Sequence, residues 1–195
     1  MQFDQGDEMT ALILVKHSLP EIVENTPASG WKLSVEGRGR CKRLAERLAK
    51  YKPDQIISSL EPKAKETADI LAGELGLPAS TLEGLHEHDR NHVGYLSSDK
   101  FQESIQEFFS RPEELVFGGE TAGQAYRRFK AAVDSIWILH PNQTLAIVAH
   151  GTVISLYVSH FIGIPGLSLW KELGLPSFVV LDVESKALLA KENIQ

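Results

Sequence analysis

Apolar and polar residues alternate in blocks along this chain, and most blocks have the length of one strand or one helix. Short, mostly apolar runs of four to six residues are typical of strands that are covered on both faces of a parallel sheet. Longer segments with apolar residues three and four positions apart indicate amphipathic helices. The pattern predicts strands at 11–15, 54–59, 79–82, 144–149, 178–183 and 187–192, and helices at 34–51, 62–75, 99–110, 121–139 and 152–162.

Residues with strong preferences for helix ends support these boundaries. Ser34 precedes the first helix and suits an N-cap. Pro62 opens the second helix and Gly76 follows it, which is the preferred arrangement of these two residue types. Thr121 and Gln124 have the spacing of a capping box. The alternation of strands and helices predicts an α/β sandwich with a mostly parallel sheet, and the last two strands predict an antiparallel hairpin at its edge.

Length and composition favour one folded domain. The chain has 195 residues, of which 43% are hydrophobic and 24% charged, and these values are ordinary for a globular protein. Because no repeat or long linker interrupts the pattern, we predict a single domain over 11–195, preceded by a flexible segment at 1–10. That segment is polar and acidic, unlike the basic and then apolar order of a signal peptide.

Charge and cysteine content narrow the classes of partner. A formal net charge of −6 disfavours nucleic acid and anionic membranes, since both attract basic proteins. Cys41 is the only cysteine, so an intramolecular disulfide is impossible. The most apolar later stretch is interrupted by His160, Gly163 and Pro165 and is too short to span a bilayer. We therefore expect a cytoplasmic protein that binds neither nucleic acid nor membrane, and the sequence carries no signal for its oligomeric state.

Ionisable residues follow three of the predicted strands. Lys16 and His17 come directly after the first strand, Lys63 lies in the first turn of the helix after the second, and His150 follows the fourth. Because the carboxyl ends of parallel strands meet at one edge of a sheet, these side chains are expected to converge there. Helix N-termini at the same edge attract anions. The pattern predicts an anion site that contains histidines able to act as nucleophiles.

Five segments add a resemblance to this argument. In chain order they are LILVKHSLPE (12–21), IISSLEPKAKETADIL (56–71), LHEHDRNHVGYL (85–96), GGETAGQAYRRF (118–129) and LAIVAHGTVI (145–154). Their order and spacing resemble the motif set of the histidine phosphatase superfamily, which has the phosphoglycerate mutase-like fold. The resemblance extends over most of the chain and implies a three-layer α/β/α sandwich.

The resemblance also implies a reaction. It identifies the chain as a metal-independent phosphatase that hydrolyses phosphate monoesters through a phosphohistidine on His17, with no cofactor. Glu87 would be the general acid that protonates the leaving oxygen, although Asp89, two residues further along the same loop, remains an alternative. The substrate would be a small phosphorylated molecule or a phosphoprotein, and its identity cannot be read from the sequence.

The phosphate-binding positions depart from the family pattern. The two arginines of the family are replaced by Lys16 and Lys63, whereas His150 matches the late histidine that contacts phosphoryl oxygens. Lysine keeps the positive charge but lacks the planar fork that binds two phosphate oxygens, so weaker binding is expected. The replacements support an alternative in which the protein binds a phosphorylated ligand or partner without turnover. A phosphoglycerate mutase is a further alternative, disfavoured because those enzymes usually carry extra segments over the site.

The segment HEHDRNH also invites a metal-site interpretation. His88 and His92 are four residues apart, which would suit zinc if the segment were helical. Gly84 and Gly94 bracket it and indicate a loop instead. We therefore predict no metal site and expect the region from 83 to 119 to contact the substrate.

Overall fold

The computed structural model describes residues 11–24, 26–94 and 96–195, so the predicted flexible segment at 1–10 lies outside the described residues. The strands are β1 (Ala11–Lys16), β2 (Gln55–Ser58), β3 (Ala79–Thr81), β4 (Leu145–Ala149), β5 (Ser177–Asp182) and β6 (Ala187–Asn193). The helices are α1 (Val35–Leu48), α2 (Pro62–Leu75), α3 (Ser98–Ser110), α4 (Ala122–Leu139), α5 (Gly151–Ile162) and α6 (Gly166–Glu172), with short 3₁₀ turns at Ala28–Gly30 and Ala49–Tyr51.

The strands form one mixed sheet in the order β3-β2-β4-β1-β5-β6. The first four strands in this order are parallel, whereas β5 pairs antiparallel with β1, and β6 antiparallel with β5. This arrangement confirms both the mostly parallel sheet and the antiparallel hairpin at one edge. Placing β4 between β2 and β1 brings together the three strands that are followed by the predicted site residues.

Helices cover both faces of the sheet. The central strands carry apolar side chains on each face, and each face packs against its own layer of helices. Leu12 and Leu14 of β1 belong to a core with α4 and α5, while Ile13 and Val15 belong to a second core with α1 and α2. A strand buried on both faces cannot show the apolar and polar alternation of a half-exposed strand, which explains its continuous apolar run. The three-layer α/β/α sandwich is thus confirmed.

Helix ends follow the predicted chemistry. The Ser34 hydroxyl accepts a hydrogen bond from the Gly37 N–H, and Thr121 and Gln124 form the reciprocal bonds of a capping box. Gly76 ends α2 in the left-handed conformation. The sequence pattern missed α6, because seven residues are too few to show helical periodicity. Across the part of the chain that the structure describes, each helix is too short or too polar to cross a membrane.

Candidate active site

The register of the sheet aligns the ends of three neighbouring strands. Lys16 lies opposite Ala149 in the β1–β4 pair. Beyond the strands proper, the His17 N–H donates to the Ala149 carbonyl (3.0 Å) and the Ser59 N–H donates to the Val148 carbonyl (2.9 Å). These bonds fix the backbone after β1 and β2 against the end of β4. The structure thereby brings His17 and Ser59 beside the histidine that follows β4.

His17 is held as a neutral ring with one nitrogen available for reaction. The side chain is only 7% exposed, and its Nδ1 lies 2.7 Å from the carbonyl oxygen of Ser18. Because a carbonyl only accepts hydrogen bonds, Nδ1 carries the proton and Nε2 keeps its lone pair. Burial, together with the nearby charge of Lys63, lowers the pKa of His17 to about 3. The ring therefore stays unprotonated at neutral pH.

His150 lies next to His17 and is also neutral. The two ring centroids are 5.2 Å apart. His150 is fully buried, and burial, followed by the proximity of His17, lowers its pKa well below the ordinary value. Its Nε2 lies 2.9 Å from the Ser59 hydroxyl and 3.6 Å from Oε1 of Glu61. Its Nδ1 is buried and has no hydrogen-bond partner among the described residues.

The two predicted phosphate-binding lysines are placed differently. Lys63, at the second position of α2, is buried, donates to the Ala28 carbonyl (2.7 Å) and forms an ion pair with Glu61. The Lys16 ammonium instead donates to the carbonyl of Leu173 (2.7 Å), just beyond α6. Lys16 follows Leu12 and Leu14 on the face of β1 that packs towards α5, and this placement accounts for its direction. Burial lowers the pKa of Lys16, and the Glu87 carboxylate partly opposes that shift.

Glu87 lies in the loop between β3 and α3, with its carboxylate at the N-terminus of α5. The carboxylate oxygens accept hydrogen bonds from the N–H groups of His88 (2.9 Å) and Thr152 (3.1 Å). Burial raises the pKa of this carboxyl, but Arg90 and the two N–H donors outweigh burial and lower it below the ordinary value. The segment forms a loop, as predicted. A general acid needs a raised pKa, and in the ligand-free protein the charge partners of Glu87 give the opposite shift.

Three of the predicted site residues line a cleft of about 370 Å³. His17, Lys63, Glu87 and Asp89 all contribute to its wall, so both candidates for the general acid face the same space. Among the described residues, the cleft wall includes neither Lys16 nor the fully buried His150. A larger cavity of about 530 Å³ lies beside α4 and α5, but none of the predicted site residues lines it. We therefore place the candidate active site in the smaller cleft.

Sequence reasoning missed two residues that shape this cleft. Glu61 lies between Lys63 and His150, and the only available signal was a carboxylate two positions before the motif lysine. Arg128 of α4 donates to the carbonyl oxygens of Gly84, His86 and Glu87. The sequence offers no indication of these bonds, because an arginine within a helix usually points to solvent.

The HEHDRNH segment forms no helix, as the bracketing glycines predicted. In the described ranges, His, Cys, Asp and Glu side chains do not assemble into a group of three or more suited to a metal ion.

Comparisons with known proteins agree with the motif order and the fold. The chain is 29% identical to phosphoglycerate mutase-like protein 4 of Arabidopsis thaliana over 80% of this chain and 74% of that protein. It is 26% identical to phosphoserine phosphatase 1 of Hydrogenobacter thermophilus over 83% of this chain and 81% of the relative.

Solved structures of low sequence identity share the fold. A phosphoserine phosphatase mutant from Entamoeba histolytica superposes with a TM-score of 0.75 at 18% identity, covering 94% of this chain and 96% of the other. A mycobacterial glucosyl-3-phosphoglycerate phosphatase gives a TM-score of 0.71 at 21% identity, covering 88% and 89% of the two chains. The family profile itself matches residues 12–192. The chain belongs to the histidine phosphatase superfamily, branch 1.

Proposed function

We propose that this protein is a metal-independent phosphatase that hydrolyses phosphate monoesters through a phosphohistidine on His17. One observation carries the proposal. The Ser18 carbonyl holds the proton on Nδ1 of His17, so the unprotonated Nε2 is the nucleophile in a cleft that also contains Lys63 and Glu87. The phosphatase names of several relatives agree with hydrolysis.

The first half of the reaction transfers the phosphoryl group to the protein. The Nε2 lone pair of His17 forms the N–P bond while the P–O bond to the leaving group breaks in line with it. Glu87 donates a proton to the leaving oxygen. Lys63 and His150 bind the phosphoryl oxygens as negative charge builds on them, and Lys16 adds positive charge nearby.

The second half releases phosphate. Glu87, now ionised, takes a proton from water as the water oxygen attacks phosphorus and the N–P bond breaks. This step returns neutral His17 and inorganic phosphate. Because the pKa of Glu87 is low in the ligand-free protein, the carboxyl must gain its proton as substrate binds. A phosphate dianion beside it raises the pKa in the required direction.

The first experiment measures phosphate release from 4-nitrophenyl phosphate in EDTA between pH 5 and 8. We expect turnover by the wild type and none by His17→Ala. His92→Ala is the matched control, since it removes an exposed histidine from the loop that follows Glu87. Turnover that persists in a folded His17→Ala protein, or that disappears in EDTA, would contradict the proposed mechanism.

The same assay assigns the general acid. Protonation of the leaving oxygen matters more for an alkyl phosphate such as phosphoserine than for 4-nitrophenyl phosphate, because nitrophenolate is a stable leaving group. Glu87→Gln is therefore expected to slow the hydrolysis of phosphoserine much more than the hydrolysis of 4-nitrophenyl phosphate. Asp89→Asn is expected to have a small effect of equal size on both substrates. The reverse result would assign the acid to Asp89.

Binding without turnover is the second candidate function, and the lysine contacts favour it. The Lys63 ammonium is engaged by Glu61 and Ala28, and the Lys16 ammonium by Leu173, so neither points freely into the cleft. On this alternative, vanadate or phosphate protects the wild type from thermal unfolding but no phosphate is released. Lys16→Arg and Lys63→Arg would then be the first variants to test for a gain of turnover.

A further inference from the structure

Glu61 places a carboxylate among the donors that the proposed reaction assigns to phosphate. It is the residue immediately before α2, and its side chain is only 11% exposed. Oε2 forms the ion pair with Lys63. Oε1 accepts a hydrogen bond from the Glu87 N–H (2.9 Å) and lies 3.6 Å from Nε2 of His150. An ammonium, a backbone N–H and an imidazole therefore surround one carboxylate.

The groups around the Glu61 carboxylate are those that commonly bind the oxygens of an anion. Charge-assisted bonds from an ammonium and from backbone N–H groups bind carboxylate and phosphate oxygens alike. As long as Glu61 holds this position, the charge of Lys63 is neutralised inside the cleft. The only other cationic side chain among the described residues of the cleft wall is Arg90, which lies 3.8 Å from a Glu87 oxygen. An incoming phosphate group thus meets a carboxylate where it needs a cation.

We propose that Glu61 is a specificity-determining residue that competes with the phosphate group for Lys63 and His150. This inference rests on the proposed function, because it takes the cleft to be the phosphate site. The flexible side chain of Glu61 turns away when a substrate binds, and its return helps to expel phosphate. The protein consequently binds inorganic phosphate weakly. It selects phosphate monoesters whose leaving group adds contacts of its own along the cleft.

The test compares inorganic phosphate binding by wild type, Glu61→Gln and Asp69→Asn. The last variant is the matched control: it removes one negative charge from α2, the helix that follows Glu61, at an exposed residue paired with Lys65. Binding is measured by isothermal titration and by competitive inhibition of 4-nitrophenyl phosphate hydrolysis. We expect Glu61→Gln to bind phosphate at least about tenfold more tightly, since a like charge within a few ångströms is removed from a buried site. Asp69→Asn should match the wild type.

Each other outcome decides a separate point. Unchanged or weaker phosphate binding by a folded Glu61→Gln protein would overturn the inference and make Glu61 a support for Lys63 and the Glu87 loop. If His17-dependent turnover is intact in that case, the proposed function survives alone. Tighter phosphate binding without turnover by the wild type would uphold the inference and reject the phosphatase. Should Glu61→Gln fail to fold, Glu61→Leu gives the same comparison, because it also removes the charge at similar size.

Discussion

Arg128 is expected to set the position of the general acid from outside the cleft. Its guanidinium donates to the carbonyl oxygens of Gly84 (2.8 Å), His86 (2.9 Å) and Glu87 (3.2 Å). It also forms two hydrogen bonds to the carboxylate of Glu120 (2.5 and 3.2 Å). One side chain thus ties three carbonyl groups of the loop to α4. Replacing it by methionine keeps most of the apolar stem and removes all five bonds.

The expected cost follows from these bonds. Removing one partner of a buried, hydrogen-bonded charge pair costs about 3–5 kcal/mol. The Arg128 side chain is 20% exposed, so solvent offsets part of this, and we expect Arg128→Met to lower the free energy of unfolding by about 3 kcal/mol. Turnover is expected to fall at least about tenfold, since a misplacement of roughly 1 Å at a catalytic group costs up to a hundredfold. KM should change less, because Glu87 acts mainly in the transition state.

Arg127→Met provides the matched control. Arg127 is the neighbouring residue, is 60% exposed and pairs only with an exposed Glu113 at 3.5 Å among the described residues. Urea unfolding measures the loss of stability, and the pH dependence of kcat reports on the Glu87 carboxyl. If Arg128→Met lost stability but kept the kcat and pH profile of the wild type, a positioning role would be refuted. If it behaved like Arg127→Met in both assays, the energetic argument would fail as well.

Two further predictions concern the nucleophile and its support. A Cβ at Gly37 would lie 2.0 Å from the Leu19 carbonyl oxygen, so Gly37→Ala should lose at least about 2 kcal/mol of stability and most of the activity. A Cβ at Gly39 would meet no atom within 4 Å apart from its chain neighbours and the backbone of its own helix. Gly39→Ala should therefore gain about 0.5–1 kcal/mol of stability. Equal effects in urea unfolding would contradict this. The pKa of His17 is about 3 in the fold against 6.5 ordinarily, so below pH 6.5 the unfolded chain binds more protons and stability falls as the pH is lowered towards 3. By pH 5 the free energy of unfolding has fallen by about 2 kcal/mol because of His17 alone. In His17→Ala, the free energy of unfolding should therefore change correspondingly less between pH 7 and pH 5. An equal change in the two proteins would refute the lowered pKa of His17.

The main features of the fold were predictable because they depend on local patterns. Continuous apolar runs, helix caps and the glycine after α2 mark elements whose ends agree with the structure to within a residue or two, apart from the helix predicted over 34–51, which ends at Leu48 and continues as a 3₁₀ turn. The convergence of His17 and His150 was predictable too, because parallel strands end at a common edge. The short helix α6 was missed for lack of periodicity.

The positions of the charged side chains were decided by the tertiary structure. Lys16 and Leu173 are 157 residues apart, and Arg128 reaches a loop 44 residues away at Gly84. The spacing of residues in the sequence cannot predict such partners. A long side chain has several staggered rotamers, and the acceptors within its reach in the folded protein determine which one it adopts. The sequence alone therefore determined which chemical groups arrive at the edge of the sheet. Only the packed structure decided that Glu61 lies beside His150 and the Glu87 backbone and that Glu87 sits at the start of α5, since those contacts form between segments brought together by burial of the core.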